Sequence, residues 1–342
     1  MNTAADNSFG EARLNELWAR GQEFLGTEYA VLAGAMTWVS ERKLVAAISN
    51  AGAFGVIATG SMPPEMVAEE IDATRALTDK PFGVNLITLH PQLDDLIAVC
   101  AEKQVSHVVL AGGLPSGKSI EAIKAFGAKL ICFAPALVLA KKLVRSGVDA
   151  IVIEGSEAGG HIGPVSTSVL AQEILPVIDA VPVFVAGGIG TGEAMARYLQ
   201  MGASGCQMGT MFVCAEECIA HPNFKKAFIR ASARDAQPSV QLDKRFPVIP
   251  VRALQNDATE AFMECQRDVV ARYQAGEIEQ HAAQLEIEHF WAGALRKGVV
   301  DGDVEAGSLM AGQSVGMVKK EQPAKDIIEE LVHQAAEALN NR

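Results

Sequence analysis

Aromatic side chains are scarce in this chain, at 6% of residues with only three Trp and three Tyr. The 49% of hydrophobic residues is instead rich in Ala, Val and Ile, beside 31 Gly. That composition argues for a parallel sheet wrapped by helices. No uninterrupted apolar run reaches the ~18 residues a membrane helix needs. Residues 1–20 are polar, so neither a membrane span nor a secretory leader is expected. Basic residues are in deficit, 29 against 41 acidic, for a net charge of −12. Such a surface repels nucleic acid and anionic membranes, and neither is expected as a partner. The six cysteines show no metal-ligand spacing. Cys132 and Cys206 fall in apolar runs, while Cys214 and Cys218, four apart, would share a helix face with no His or Cys pair nearby. No metal is expected, and reduced thiols suit a cytoplasmic protein.

What is present is repetition. Eight short apolar runs, at 30–33, 54–58, 82–86, 107–111, 130–134, 150–153, 183–186 and 206–209, alternate with segments of helical periodicity. The spacing of about 20 to 30 residues suits one βα unit each. Gly52, Gly127 and Gly147 each close a helical segment just before the next run. Eight units in 342 residues predict an α/β fold, a TIM (β/α)8 barrel, with an open doubly wound sheet as the alternative. From about His221 the pattern becomes charged and helical with no clear strand. Residues 1–218 and 306–342 are therefore assigned to the barrel and 219–305 to a helical lobe over its mouth. Residues 257–297 read as two amphipathic helices, and the helix at 324–339 as the eighth of the barrel wall.

The chemistry concentrates where runs end. Ile153-Glu154-Gly155-Ser156-Glu157-Ala158-Gly159-Gly160-His161-Ile162-Gly163 follows run six as a loop with two carboxylates and one histidine. Val185-Ala186-Gly187-Gly188-Ile189-Gly190-Thr191-Gly192 follows run seven, and Gln207-Met208-Gly209-Thr210 closes run eight. Barrel active sites lie at these strand ends, and loops seven and eight often hold a phosphate. Backbone N–H groups of Gly187, Gly188, Gly209 and Thr210, with a helix starting near Glu193, would bind a dianion without lysine. The alternative is that these glycines only make tight turns. Asn85, ending run three, suits the edge of a heterocycle or an Asx turn. After run one, Ala33-Gly34-Ala35-Met36 would let a flat ring lie on the backbone, with Met36 and Trp38 equally readable as core. His161 is the strongest catalytic candidate, because an imidazole moves protons near neutral pH. Of Glu154 and Glu157, one would orient the imidazole or bind a ligand hydroxyl, and the other cap the loop.

These residues resemble a known family. Glu157 to Gly163, Ala186-Gly187-Gly188-Ile189 and Gln207-Met208-Gly209-Thr210 are similar to the FMN-dependent nitronate monooxygenases, formerly 2-nitropropane dioxygenases. They equally resemble the flavin-type enoyl-acyl-carrier-protein reductase II. Asp79 to Asn85 and Ser308-Leu309-Met310-Ala311-Gly312-Gln313 extend the likeness over nearly the whole chain. The resemblance implies a TIM barrel with one non-covalent FMN, its phosphate on Gly187, Gly188, Gly209 and Thr210. Asn85 and the Ala33, Gly34, Ala35 and Met36 backbone would hold the isoalloxazine. Glu154, Gly159, Gly160 and Gln207 complete the expected cofactor set, with His161 as the base beside the flavin.

Two departures stand out. The family's common Gln-Gly-Gly-Met is Ala33-Gly34-Ala35-Met36 here, and a lysine that some members carry after strand five is replaced by Phe133-Ala134-Pro135. The Gly-Gly-His spelling and residues 293–313 lean toward the reductase branch. The expected activity is oxidation of an alkyl nitronate by FMN and O2. The alternative is an NAD(P)H-dependent enoyl-thioester reductase, and a non-enzymatic flavin binder is the minor third. The expected partner is thus a small-molecule substrate, and a homodimer stays open.

Overall fold

The computed structural model describes residues 3–246, 249–290 and 293–340, without the side chains of 3–8, 288 and 289. Eight parallel strands form one sheet: β1 (Val31–Ala33), β2 (Gly55–Ala58), β3 (Phe82–Ile87), β4 (His107–Ala111), β5 (Lys129–Phe133), β6 (Ala150–Glu154), β8 (Val183–Ala186) and β9 (Gly205–Met208). The order β1-β9-β8-β6-β5-β4-β3-β2 runs round the sheet, and a bridge from Leu32 to Phe54 joins its ends. Phe54 N–H bonds the Val31 carbonyl at 2.8 Å and Ala33 N–H the Phe54 carbonyl at 2.9 Å. The sheet is a closed TIM barrel, so none of its strands keeps an open edge.

Every apolar run of the sequence became a strand within a residue or so of its expected bounds. Gly52, Gly127 and Gly147 take φ of 86°, 82° and 88°, the left-handed turn that releases a helix into the next strand. Helix Ala324–Asn340 packs against helices Gly192–Gln200 and Arg42–Asn50, filling the eighth place in the wall. At Gly192 an added Cβ would lie 2.0 Å from the Leu331 carbonyl oxygen, so only glycine admits that approach.

The barrel is closed at its N-terminal end by helix Thr3–Leu25. Phe24 at its end meets His107 edge-on at 5.5 Å and Phe184 at 6.1 Å. Gly83 and Gly205 face the same interior and leave room for the rings of Phe54 and Phe184. Alternate positions on each strand thus fill the barrel with side chains.

Beyond β9 the structure differs from expectation in three respects. The segment at 219–305 contains strands. A small antiparallel sheet pairs β10 (Ala236–Pro238) with β11 (Val251–Leu254), and β11 with β7, which is Gly160–His161 itself. The histidine loop is therefore tied down as a strand. Cys214 ends a 3-10 turn (Thr210–Cys214) and Cys218 lies past it, so the two share no helix. Helices Asp257–Gln274 and Gln280–His289 pack around Phe246, Phe262, Val269, Ala283 and Ile287, a cluster separate from the barrel core. Residues 291 and 292, within the stretch expected as helical, lie outside the described residues, as does the side chain of His289. No helix among the described residues is long and apolar enough to cross a membrane.

Candidate active site

Strand register decides which residues face the barrel's open, C-terminal end. Glu154 pairs with Ala186, Ala186 with Gln207, and Gln207 with Leu32. Paired residues share a face, so these four form one inward layer. Asn85 faces inward as well, in register through Val109 and Ile131 with Ala150, which lies on the same face of β6 as Glu154. Asn85 and Gln207 are 6% and 8% exposed, yet neither amide bonds to any described residue. Among the described residues Glu154 has neither a hydrogen bond nor an ion pair, and burial pushes its carboxyl up to about 7. Small residues, Gly34, Ala58 and Ala186, occupy the neighbouring positions and leave the floor flat.

The two loop carboxylates differ in their partners among the described residues. Glu157 is the cap: its Oε2 accepts from Thr167 N–H at 2.9 Å and Thr167 Oγ1 at 3.0 Å. Glu154 is left without a partner.

His161 is held on β7 opposite Val251, with Gly160 opposite Arg252. Its ring makes no bond to a described residue. The residue is solvent-exposed, and the protein around its ring holds its pKa below the ordinary histidine value by desolvation. The imidazole is therefore neutral at pH 7. Arg252 is 7% exposed and donates from Nε to the Ser156 carbonyl at 2.9 Å and from Nη1 to the Ala236 carbonyl at 2.6 Å. It staples the start of the histidine loop to β10.

Gly159 and Gly160 have packing reasons of their own. An added Cβ at Gly159 would lie 2.6 Å from Gly312 N, and one at Gly160 3.5 Å from Met310 Sδ. The segment 308–313 thus rests directly on the Gly-Gly turn.

The two glycine loops leave backbone donors open. Gly187 and Gly188 hold φ of 96° and 74°. With Gly209, their N–H groups find no acceptor among the described residues. Thr210 Oγ1 accepts from Gly312 N–H at 3.0 Å and keeps its own proton free to donate. The helix at Gly192–Gln200 is already capped, by Thr191 Oγ1 on Ala194 N–H and Gln334 Oε1 on Gly192 N–H at 2.8 Å. The 3-10 turn at Thr210 has no side-chain cap, and the N–H groups of Gly209 and Glu193 both stay without an acceptor among the described residues.

After β1, three of the four expected N–H groups are taken. Ala33 donates to Phe54, Gly34 to Met208, and Met36 to Ser40 Oγ at 3.0 Å, which leaves Ala35. Trp38 sits in this loop at φ 68°, strained for a bulky residue, with the Arg296 guanidinium 5.9 Å from its ring centre.

Sequence reasoning missed Thr167, Ser40, Gln334 and Arg252. Only Arg252 left a signal, as the one charge inside the apolar run Val251–Leu254.

Comparison with known proteins agrees with this geometry. The sequence model of the family described as nitronate monooxygenase matches residues 19–104 and 92–334. A (3aS,4S,5R,7aS)-5-hydroxy-7a-methyl-1-oxo-octahydro-1H-indene-4-carboxyl-CoA dehydrogenase of Rhodococcus jostii is 30% identical, over 93% of this chain and 96% of that protein. A probable nitronate monooxygenase of Staphylococcus aureus is 28% identical, over 81% and 92%. Among solved structures, FabK from Thermotoga maritima superposes with a TM-score of 0.83 at 36% identity, covering 92% of this chain and 95% of that one. A nitroalkane oxidase from Streptomyces ansochromogenes gives 0.76 at 25% identity, covering 93% and 99%.

Proposed function

Because the chain belongs to the nitronate monooxygenase family of oxidoreductases, we propose that it is an FMN-dependent enzyme in which His161 moves a proton at a substrate carbon over the barrel mouth. One observation carries this reading. The side chains of Asn85, Glu154 and Gln207, at the C-terminal strand ends, and of the exposed His161 have no hydrogen-bond partner among the described residues. Asn85 and Gln207 are buried and Glu154 partly so; buried polar groups are normally satisfied, so these three are what a polar ligand completes.

The residues present fit FMN. The N–H groups of Gly187, Gly188 and Gly209 with the Thr210 hydroxyl would receive the phosphate. Asn85, Gln207 and the Ala35 N–H offer donors and acceptors to the ring edge, above the small residues Gly34, Ala58 and Ala186. When bound, FMN supplies the electron acceptor. His161, neutral and with a free ring nitrogen, would take the α-proton of a neutral nitroalkane and so form the nitronate. Arg252 holds the loop that carries it.

Alkyl nitronates are the first substrate class, with O2 as oxidant, supported by the family and by relatives of that name. A second class, acyl thioesters with NAD(P)H, is favoured by a specific finding. The Gly-Gly-His turn and the segment 308–313, whose spelling leans to the reductase branch, form one packed unit, and a relative at 30% identity is a CoA dehydrogenase. The test is anaerobic mixing with NADH or NADPH while following flavin absorbance. Bleaching supports the thioester class. A flavin that stays oxidised until an alkyl nitronate is added supports the first. No flavin band even with added FMN overturns the reading.

A further inference from the structure

We propose that Glu154 receives the flavin as an un-ionised acid, so that flavin binding takes up one proton from solution at alkaline pH. The inference rests on the FMN reading above and concerns the protonation state of a residue that reading uses only as a contact.

Its basis is placement. Glu154 ends β6 and faces inward in one layer with Ala186, Gln207 and Leu32. The elements around it supply no counter-charge. Glu157, on the loop that follows, is bound to Thr167. Arg252 of β11 is bound to the Ser156 and Ala236 carbonyls. Lys129 of β5 reaches the Phe24 carbonyl at the far end of the barrel. His161 is neutral, and β8 and β9 bring Ala186 and Gln207. Burial alone acts on the carboxyl.

An ionised carboxylate without a donor is costly to enclose. The Glu154 side chain is only partly buried, and a flavin lying over this end of the barrel would cover what remains exposed. Covering the group therefore strengthens its preference for the neutral acid, which offers an O–H to an acceptor on the ring. Glutamine keeps the shape and a donor, and removes the titration.

The test uses the full chain stripped of flavin and titrated with FMN between pH 6 and 9, with flavin fluorescence giving Kd. The FMN phosphate has its own second ionisation near pH ~6, so the reading is the ratio of wild type to Glu154→Gln, in which the phosphate cancels. The expected wild-type Kd rises relative to the variant by about tenfold per pH unit once the free carboxyl is ionised. Calorimetry of the wild type at pH 8, in buffers of different ionisation enthalpy, should show uptake of one proton per flavin. Parallel Kd curves together with zero proton uptake overturn this proposal and leave the FMN reading standing. Failure of the wild type to bind FMN at any pH overturns both.

Discussion

The two ends of the barrel each hold a histidine whose pKa is lowered by desolvation, and the two rings differ in what they bond to. At the closed end His107 lies between the rings of Phe24 and Phe54. Its Nε2 donates to the Phe24 carbonyl at 3.0 Å, which requires Nδ1 to accept from Ser106 Oγ at 2.9 Å. Both ring nitrogens are occupied, and its pKa is pushed down to about 4. At the open end His161 bonds to no described residue, nor do Asn85, Glu154 and Gln207. A lowered pKa alone therefore does not separate a structural histidine from a reactive one. The accounting of hydrogen-bond partners does.

The largest expected effect tests that contrast directly. His161→Ala should lower turnover by about 10²–10⁴-fold while the flavin stays bound, as steady-state kinetics and the visible spectrum would reveal. His107→Ala should do the reverse, leaving turnover per folded molecule unchanged. It should destabilise the fold by about 2–4 kcal/mol, through the cavity left between the Phe24 and Phe54 rings, measured by urea unfolding. Equal turnover losses in the two variants would erase the distinction between the ends.

Next in size is the cradle. Gly209 has φ −115° and its Cβ would meet only the flexible Met36 thioether at 3.3 Å. Gly209→Ala should therefore fold normally and weaken FMN binding by about 10- to 100-fold, the worth of one or two charge-assisted hydrogen bonds. Gly188→Val is a blunter probe, because φ 74° and Glu157 Cβ at 2.9 Å strain the fold as well. Undiminished affinity in Gly209→Ala would move the phosphate elsewhere.

The pH dependence of stability sharpens the comparison further. Free histidine titrates near 6.5 and His107 near 4. Between those values the unfolded chain binds the extra proton, so stability falls as pH drops from 6.5 to 4, by about 3 kcal/mol. Glu154 acts in the opposite sense over most of the same window. It titrates near 4.5 when unfolded and near 7 when folded. Between those values the folded form holds the extra proton, so stability declines as pH rises from 4.5 to 7. In melting of the flavin-free protein from pH 4 to 9, His107→Gln should leave only this decline toward pH 7. Glu154→Gln should leave only the acid decline from pH 6.5 to 4. A Glu154→Gln profile that overlays the wild type would mean the carboxyl is solvated after all.

Much of this was legible in the chain. The eight strands could be read because each is an apolar run bounded by turn residues, a local signal. Strands β10 and β11 escaped because Ala236–Pro238 and Val251–Leu254 are too short to show a period, and the partner of β11, Gly160–His161, lies some ninety residues earlier. The site residues were legible as types at strand ends, and their division of labour was not. Two glutamates three positions apart look alike until Thr167, ten residues on, is seen to occupy one of them.

The sequence by itself determined the eightfold βα repeat, the glycine loops after the sixth to eighth barrel strands and the histidine among them, since periodicity and backbone freedom are properties of neighbouring residues. Only the tertiary structure decided which groups stay unpaired. Phe24 closes over His107, Thr167 takes Glu157, Gln334 caps the helix at Gly192, and Arg252 pins the Ser156 carbonyl. Each of these bonds joins residues 10 to 142 positions apart. Satisfaction of a polar group depends on what folds against it, and that is what leaves the side chains of Asn85, Glu154, His161 and Gln207 without a partner among the described residues.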